Sequence, residues 1–139
     1  MIRPACLADL DRLVMMGADF TATVGLFVYD DAAAARYLTS LIESDKATVL
    51  VPDDLSGMIG GAIDAPAFAP MFLSARELFW WSEGDHGIEL LRAFELWAVK
   101  QGAGNVFLSL ALLGNDDRVA KALEHSGYNL VEKTYLRVI

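Results

Sequence analysis

The chain has 139 residues, 55% of them hydrophobic, and a formal charge of −8 from 19 acidic against 11 basic side chains. That length suits one domain with one core over residues 1–139, and the lack of a basic stripe argues against nucleic acid, whose binding relies on neutralising phosphates. No apolar run approaches the roughly 18–20 residues that cross a bilayer, which argues against a membrane span.

Surplus apolar surface without a span more often means a subunit interface or a docking face, so a homo-oligomer or a stable partner is an open expectation. Pro4, Asp9 and Asp11 interrupt any secretory apolar region. The lone Cys6 excludes an internal disulfide and fits a reducing compartment, so the expected location is cytoplasmic. Cys6 itself reads as small core filler. An acidic surface mildly favours cationic substrates such as amines.

Ile2-Arg3-Pro4 reads as a short first strand with proline at its edge. From about Leu7 the pattern turns helical, with Leu7, Leu10, Val14 and Gly17 on one face. Asp30-Asp31 offers a cap for a second helix, Ala32 to Ile42, where Ala35, Leu38 and Ile42 recur at helical spacing. Thr21 to Tyr29 is ambiguous between a strand and a helix–helix connection. Ala47 to Val51 and Met58 to Ile63 read as a hairpin around Pro52-Asp53-Asp54-Leu55-Ser56-Gly57, a stretch with sound turn chemistry. Gly60-Gly61 inside the second of these strands predicts a bulge or a close backbone approach. Ala65 to Ser74 is an apolar loop whose Phe68 and Phe72 would cover a pocket or meet a partner.

The most informative unit runs from Arg76 to Gly114. A strand, Glu77 to Trp81, enters a polar loop, Ser82 to Gly87. A helix, Ile88 to Gln101, follows, and a second strand, Asn105 to Leu113, closes the crossover. In the helix Glu89, Arg92, Glu95 and Lys100 gather on one side, and Leu90, Leu91, Phe94, Trp97 and Ala98 form a wide apolar arc suited to a sheet face. Glycines at a helix entrance are where backbone N–H groups and the helix dipole hold an anion. Asp116-Asp117 then caps a shorter helix to His125-Ser126, Gly127 stops it, and Asn129 to Ile139 reads as β structure.

This order resembles the GCN5-related N-acetyltransferase (GNAT) family over nearly the whole chain. Ile2-Arg3-Pro4-Ala5 with Asp9-Leu10 is similar to its opening strand and helix. Leu78-Phe79-Trp80-Trp81, the glycine loop and Leu90-Leu91-Arg92-Ala93-Phe94-Glu95 resemble its cofactor-binding strand–loop–helix. Leu123-Glu124-His125-Ser126-Gly127-Tyr128 resembles its final helix, and the style of the aromatic strand and helix is similar to small phage-encoded members. The resemblance implies a mixed α/β fold: a mostly antiparallel central sheet with helices on both faces. It also implies acetyl transfer from acetyl-CoA to a primary amine of a small molecule or protein. The implied cofactor contacts are Trp81, Ser82, Gly84, Asp85, His86, Gly87 and Ile88, with Leu108, Ser109 and Leu110 on the facing strand. Glu77 matches a position where several members carry the base. No metal is implied.

The loop departs from the family's Gln/Arg-x-x-Gly-x-Gly/Ala pattern. With Gly87 as its last small residue, Asp85 replaces the middle glycine and Ser82 the leading Gln/Arg. With Gly87 as the middle glycine, Glu89 falls where a small residue belongs. Glu83 and Asp85 put carboxylates beside the implied pyrophosphate, although acids also serve as ordinary caps there. Leu123 stands where members carry the tyrosine that protonates the thiolate, leaving Tyr128 and Tyr135 as candidate acids. The bland reading of Glu77 is a strand-end carboxylate paired with Arg76. A second functional reading keeps the fold without the chemistry, as a binding or virion-associated module.

Overall fold

The computed structural model of the chain describes residues 1–110 and 117–139. Backbone contacts gather these into two compact units, Met1–Ser109 and Leu110–Ile139. The first unit contains β1 (Ile2–Pro4), a 3-10 turn (Leu7–Asp9), α1 (Leu10–Val24), α2 (Asp31–Glu43), β2 (Ala47–Pro52), β3 (Gly57–Asp64), β4 (Ser74–Ser82), α3 (Gly87–Lys100) and β5 (Asn105–Phe107). Its sheet runs β1-β2-β3-β4-β5, antiparallel at every pairing except the parallel β4–β5. That is the mixed, mostly antiparallel architecture expected.

Strand alternation divides the core in two. Val49 and Val51 of β2 and Met58 of β3 pack with Leu13, Met16, Leu38 and Leu41 of α1 and α2. Leu50 and Ile59, one residue out of step, pack with Leu90, Phe94 and Ala98 of α3. Both sheet faces are therefore helix-covered, which is why β2 reads as an unbroken apolar run rather than an alternating one. Each fully buried side chain of Leu or Phe size contributes about 1.5–3 kcal/mol by leaving water.

The expected irregularity at Gly60-Gly61 is a bulge. Gly61 pairs with Glu77 and Gly60 with Phe79, so Leu78 of β4 has no partner. An extra residue reverses the side-chain parity of a strand. Ala75 accordingly packs on the α3 side and Phe79 on the α1–α2 side, although their positions 75 and 79 are both odd and a regular strand would put them on one face. Neither glycine tolerates a side chain. A Cβ at Gly60 would lie 2.2 Å from the Phe79 ring, and one at Gly61 2.3 Å from the Phe94 ring and 2.7 Å from the Arg76 carbonyl oxygen.

Helix ends follow local chemistry. The Asp30 side chain accepts from the Ala33 N–H at 2.9 Å and caps α2. α1 runs through Val24 and stops at Gly25 (φ +71), which resolves the ambiguous segment as helix followed by connection. Leu10 and Val14 of the expected face pack on the core beside the fully buried Leu13 and Met16, while Leu7 is exposed because it lies in the 3-10 turn that precedes α1. Cys6 is also exposed, not core filler, because it occupies the turn leaving β1. There the buried Asp9 carboxylate accepts from Arg3 at 2.8 and 3.0 Å and from the Cys6 N–H at 2.9 Å.

Two expected strands differ. β4 begins at Ser74, inside what reads as loop, because Ser74, Ala75 and Arg76 pair with Asp64, Ile63 and Ala62. β5 is three residues long, not nine; positions 111–113 of the expected strand lie outside the described residues.

The second unit carries α4 (Asp117–His125). Gly127 (φ +93) ends it as expected, its N–H donating to Glu124 O at 3.1 Å while Tyr128 N–H donates to Leu123 O at 3.0 Å. Asp116, the other half of the expected cap, lies outside the described residues. Among the described residues the expected terminal β structure is not seen: no strand is assigned over residues 129–139, and Leu130 and Tyr135 are exposed. No helix among the described residues is long and apolar enough to cross a membrane.

Candidate functional site

β4 runs on to Ser82 while its parallel neighbour β5 ends at Phe107, and we call the gap beyond that end the wedge. Their parallel ladder joins Ser74 to Asn105, Ala75 to Val106 and Arg76 to Phe107, and stops. The closed end is clamped by Arg76, whose guanidinium lies 4.3 Å above the Phe107 ring and whose Nε donates to Asp64 at 2.8 Å. Arg76 thus pairs with Asp64, not with Glu77 as the bland reading had it. Beyond Phe107 a side chain links the two chain segments among the described residues: the Ser109 N–H donates to the Glu77 carboxylate at 3.0 Å.

The bulge sets Glu77 at this point, one residue before the unpaired Leu78. Burial is the larger influence on its carboxyl and pushes the pKa up to about 7; the Ser109 N–H, which favours the charged form, opposes this and does not overcome it. A carboxylate that exchanges its proton near neutrality is suited to general-base work. The remaining wedge residues are apolar: Leu108 packs on the α3-side core and Trp81 on the other. The Trp81 indole N–H is buried with no acceptor among the described residues.

The loop from β4 into α3 is held by its own contacts. The Ser82 hydroxyl donates to the Gly84 carbonyl at 2.9 Å, and the Glu83 N–H donates to Ser56 O at 2.9 Å. The Glu83 carboxylate lies 2.6 Å from Arg12 of α1, whose Nε also donates to Leu55 O at 3.3 Å. The His86 ring lies 3.3 Å from Glu89 and 3.6 Å from Asp54. Asp54 is held below the ordinary carboxylate range, chiefly by hydrogen bonds from the Ser56 hydroxyl and N–H. Gly84, Asp85 and Ile88 are exposed. A hollow of about 170 Å³ beside the loop is lined by Met1, Pro52, Asp53, Asp54 and His86.

Of the residues singled out from the sequence, the structure joins Glu77 to Ser109 directly. Trp81, Ser82, Gly84, Asp85, His86, Gly87 and Ile88 form the end of β4, the loop and the first turn of α3. Leu110, Tyr128 and Tyr135 belong to the second unit; Tyr128 is half-buried and Tyr135 exposed. Arg12 is the residue that sequence reasoning missed. It stands 71 positions from the acid it neutralises, and no local pattern marks it. No cluster of metal-ligating side chains occurs among the described residues.

No family model matches the chain, and no curated protein matches it. Solved structures do. An aminoglycoside antibiotic 6'-N-acetyltransferase from Acinetobacter haemolyticus is 18% identical, with a TM-score of 0.72 over 100% of this chain and 97% of that one. A predicted acetyltransferase from Clostridium acetobutylicum, solved with acetyl-CoA, is 12% identical, with a TM-score of 0.75 over 100% and 95%. A transcriptional regulator from Bacillus halodurans is 15% identical, with a TM-score of 0.79 over 100% and 99%. Identities this low speak to architecture alone, and together with the mixed five-stranded sheet they give the chain the GNAT acetyltransferase fold.

Proposed function

We propose that the chain is an N-acetyltransferase that transfers acetyl from acetyl-CoA to a primary amine. The observation that carries the reading is the β4–β5 wedge, with Glu77 at its mouth and an inward-directed N–H at Ser109. A pantetheine chain offers amide groups that match the edges of the two segments beyond their ladder, and the loop from Ser82 to Ile88 lies at the far end of β4, where a diphosphate would follow. Two of the similar structures, one holding acetyl-CoA and one an aminoglycoside acetyltransferase, support the same chemistry.

In this reading Glu77 takes a proton from the bound ammonium. The amine nitrogen then attacks the thioester carbonyl carbon, the tetrahedral intermediate collapses with cleavage of the C–S bond, and the second proton shed by the nitrogen passes through water to the departing thiolate. Tyr128 and Tyr135 are not needed for any step. Sequence composition supports a cytoplasmic protein and a self-associating apolar surface, for which Phe68 and Met71 on the β3–β4 connection are fully exposed candidates. Isothermal titration with acetyl-CoA tests the reading: saturable heat at sub-millimolar ligand is expected, and none at near-millimolar ligand refutes it. A carboxyl base with a pKa near 7 also requires kcat/KM to rise with pH and level off above neutrality. A flat profile from pH 5 to 9 excludes Glu77 as the base.

A further inference from the structure

The wedge is not open in this structure. The parallel ladder ends at Arg76 and Phe107, so beyond it the inner edges of the two segments share no rung among the described residues. The Ser109 N–H lies on that inner edge of the β5 side, and the Glu77 carboxylate already occupies it at 3.0 Å. The contact is a side-chain hydrogen bond reaching across the gap, in the place where the next ladder rung would stand. It depends on the bulge, because the register shift at Gly60/Gly61 is what sets Glu77 one step before the strand's parity reverses.

We propose that the Glu77–Ser109 bond is a latch on the acyl-CoA channel: an amide-bearing thioester arm enters the wedge only by taking the Ser109 N–H from Glu77. The inference rests on the acetyltransferase reading and adds to it, since a general base needs no contact with the strand facing it. Release of the latch returns the Glu77 carboxylate to the reacting end of the channel only when the acyl donor is seated. A largely buried carboxylate with one N–H partner gives that partner up only at a cost, which is what makes the contact a barrier to entry. Glu77 is a positioning residue in this role, separate from its proton transfer.

The latch separates three variants. Glu77→Gln keeps an oxygen acceptor for the Ser109 N–H and loses the base, so acetyl-CoA binds as in the wild type while turnover falls. Glu77→Ala removes latch and base together, so turnover falls but acetyl-CoA binds about fivefold tighter, the value of one net hydrogen bond. Glu77→Ser, too short to span the gap, serves as a second unlatched variant should the alanine protein fold poorly. Isothermal titration with acetyl-CoA and with desulfo-CoA, which cannot react, gives the affinities. Tighter binding by the alanine and serine variants, but not by the glutamine variant, supports the latch. Unchanged or weaker binding by the alanine and serine variants overturns it while leaving the acetyltransferase reading intact. Absence of binding by all four proteins, the wild type included, overturns both.

Discussion

Asp9→Asn should lower stability by about 2 kcal/mol at neutral pH, and the deficit should disappear in acid. Asp9 is nearly covered from solvent, accepts two hydrogen bonds from the Arg3 guanidinium at 2.8 and 3.0 Å, and caps the Cys6 N–H at 2.9 Å. Hydrogen bonds to charged groups contribute about 1.5–3 kcal/mol each. Arg3 is itself 35% exposed and the pair lies close to the surface, so the sum is discounted towards the lower value. Asparagine keeps the shape and an acceptor for Cys6 but loses the charge. Arg3 and the Cys6 N–H hold the Asp9 carboxyl well below its ordinary range. A depressed folded-state pKa contributes stability above the unfolded value of about 4, and that contribution is lost as pH falls towards the folded value. Urea denaturation of both proteins at pH 7, 5, 4 and 3 should therefore show a constant gap at pH 7 and 5 that narrows below 4. A gap under about 0.5 kcal/mol at pH 7, or one that persists unchanged at pH 3, refutes the reasoning.

Gly61→Ala should destabilise the fold by at least about 2 kcal/mol, because the Arg76 carbonyl at 2.7 Å and the Phe94 ring at 2.3 Å cannot both withdraw; a denaturation midpoint equal to wild type would contradict the bulge geometry. Glu83→Gln should tighten acetyl-CoA binding about fivefold at low salt, since it removes a charge worth roughly 1 kcal/mol at ~5 Å from a phosphate and releases Arg12. Binding of S-acetylpantetheine, which has no diphosphate, should not change. Glu77→Gln should gain stability relative to wild type as pH rises from about 4.5 to 7, and no further above it, because a carboxyl with a raised folded pKa loses native stability over that window; denaturation at pH 5 and 8 measures the difference.

The sequence made the crossover legible where periodicity and packing agree. The apolar arc of α3 is buried through Leu90, Leu91, Phe94 and Ala98, as its spacing requires. Gly60-Gly61 signalled a local irregularity, but not that it would reverse the parity of β4 and place Phe79 and Ala75 on opposite faces. That reversal also hides the first residues of β4, since Ser74-Ala75-Arg76 shows no alternation continuous with Phe79-Trp80-Trp81. Of the expected inner face of the first helix, Leu10 and Val14 do pack on the core, and Leu7 does not because it lies in the 3-10 turn before α1. Residues 129–139 have the composition of a strand, yet composition cannot supply a ladder partner.

At the site, the residue types were legible and their pairings were not. Glu77 stood out as a carboxylate at the start of an apolar strand, but its partner is a backbone N–H 32 positions away. Glu83 read as a charge opposing phosphate, whereas Arg12 of α1 largely neutralises it. Both contacts join segments far apart in the chain, and sheet topology alone brings them together.

Titration of isotopically labelled protein with acetyl-CoA, followed through backbone amide resonances, tests the central claim most directly. The account predicts that the amides of Ser109 and of residues 84–88 shift together, saturably, at sub-millimolar ligand, with Ser109 losing the signature of its carboxylate partner. Unmoved resonances at those positions, at millimolar acetyl-CoA, would contradict it.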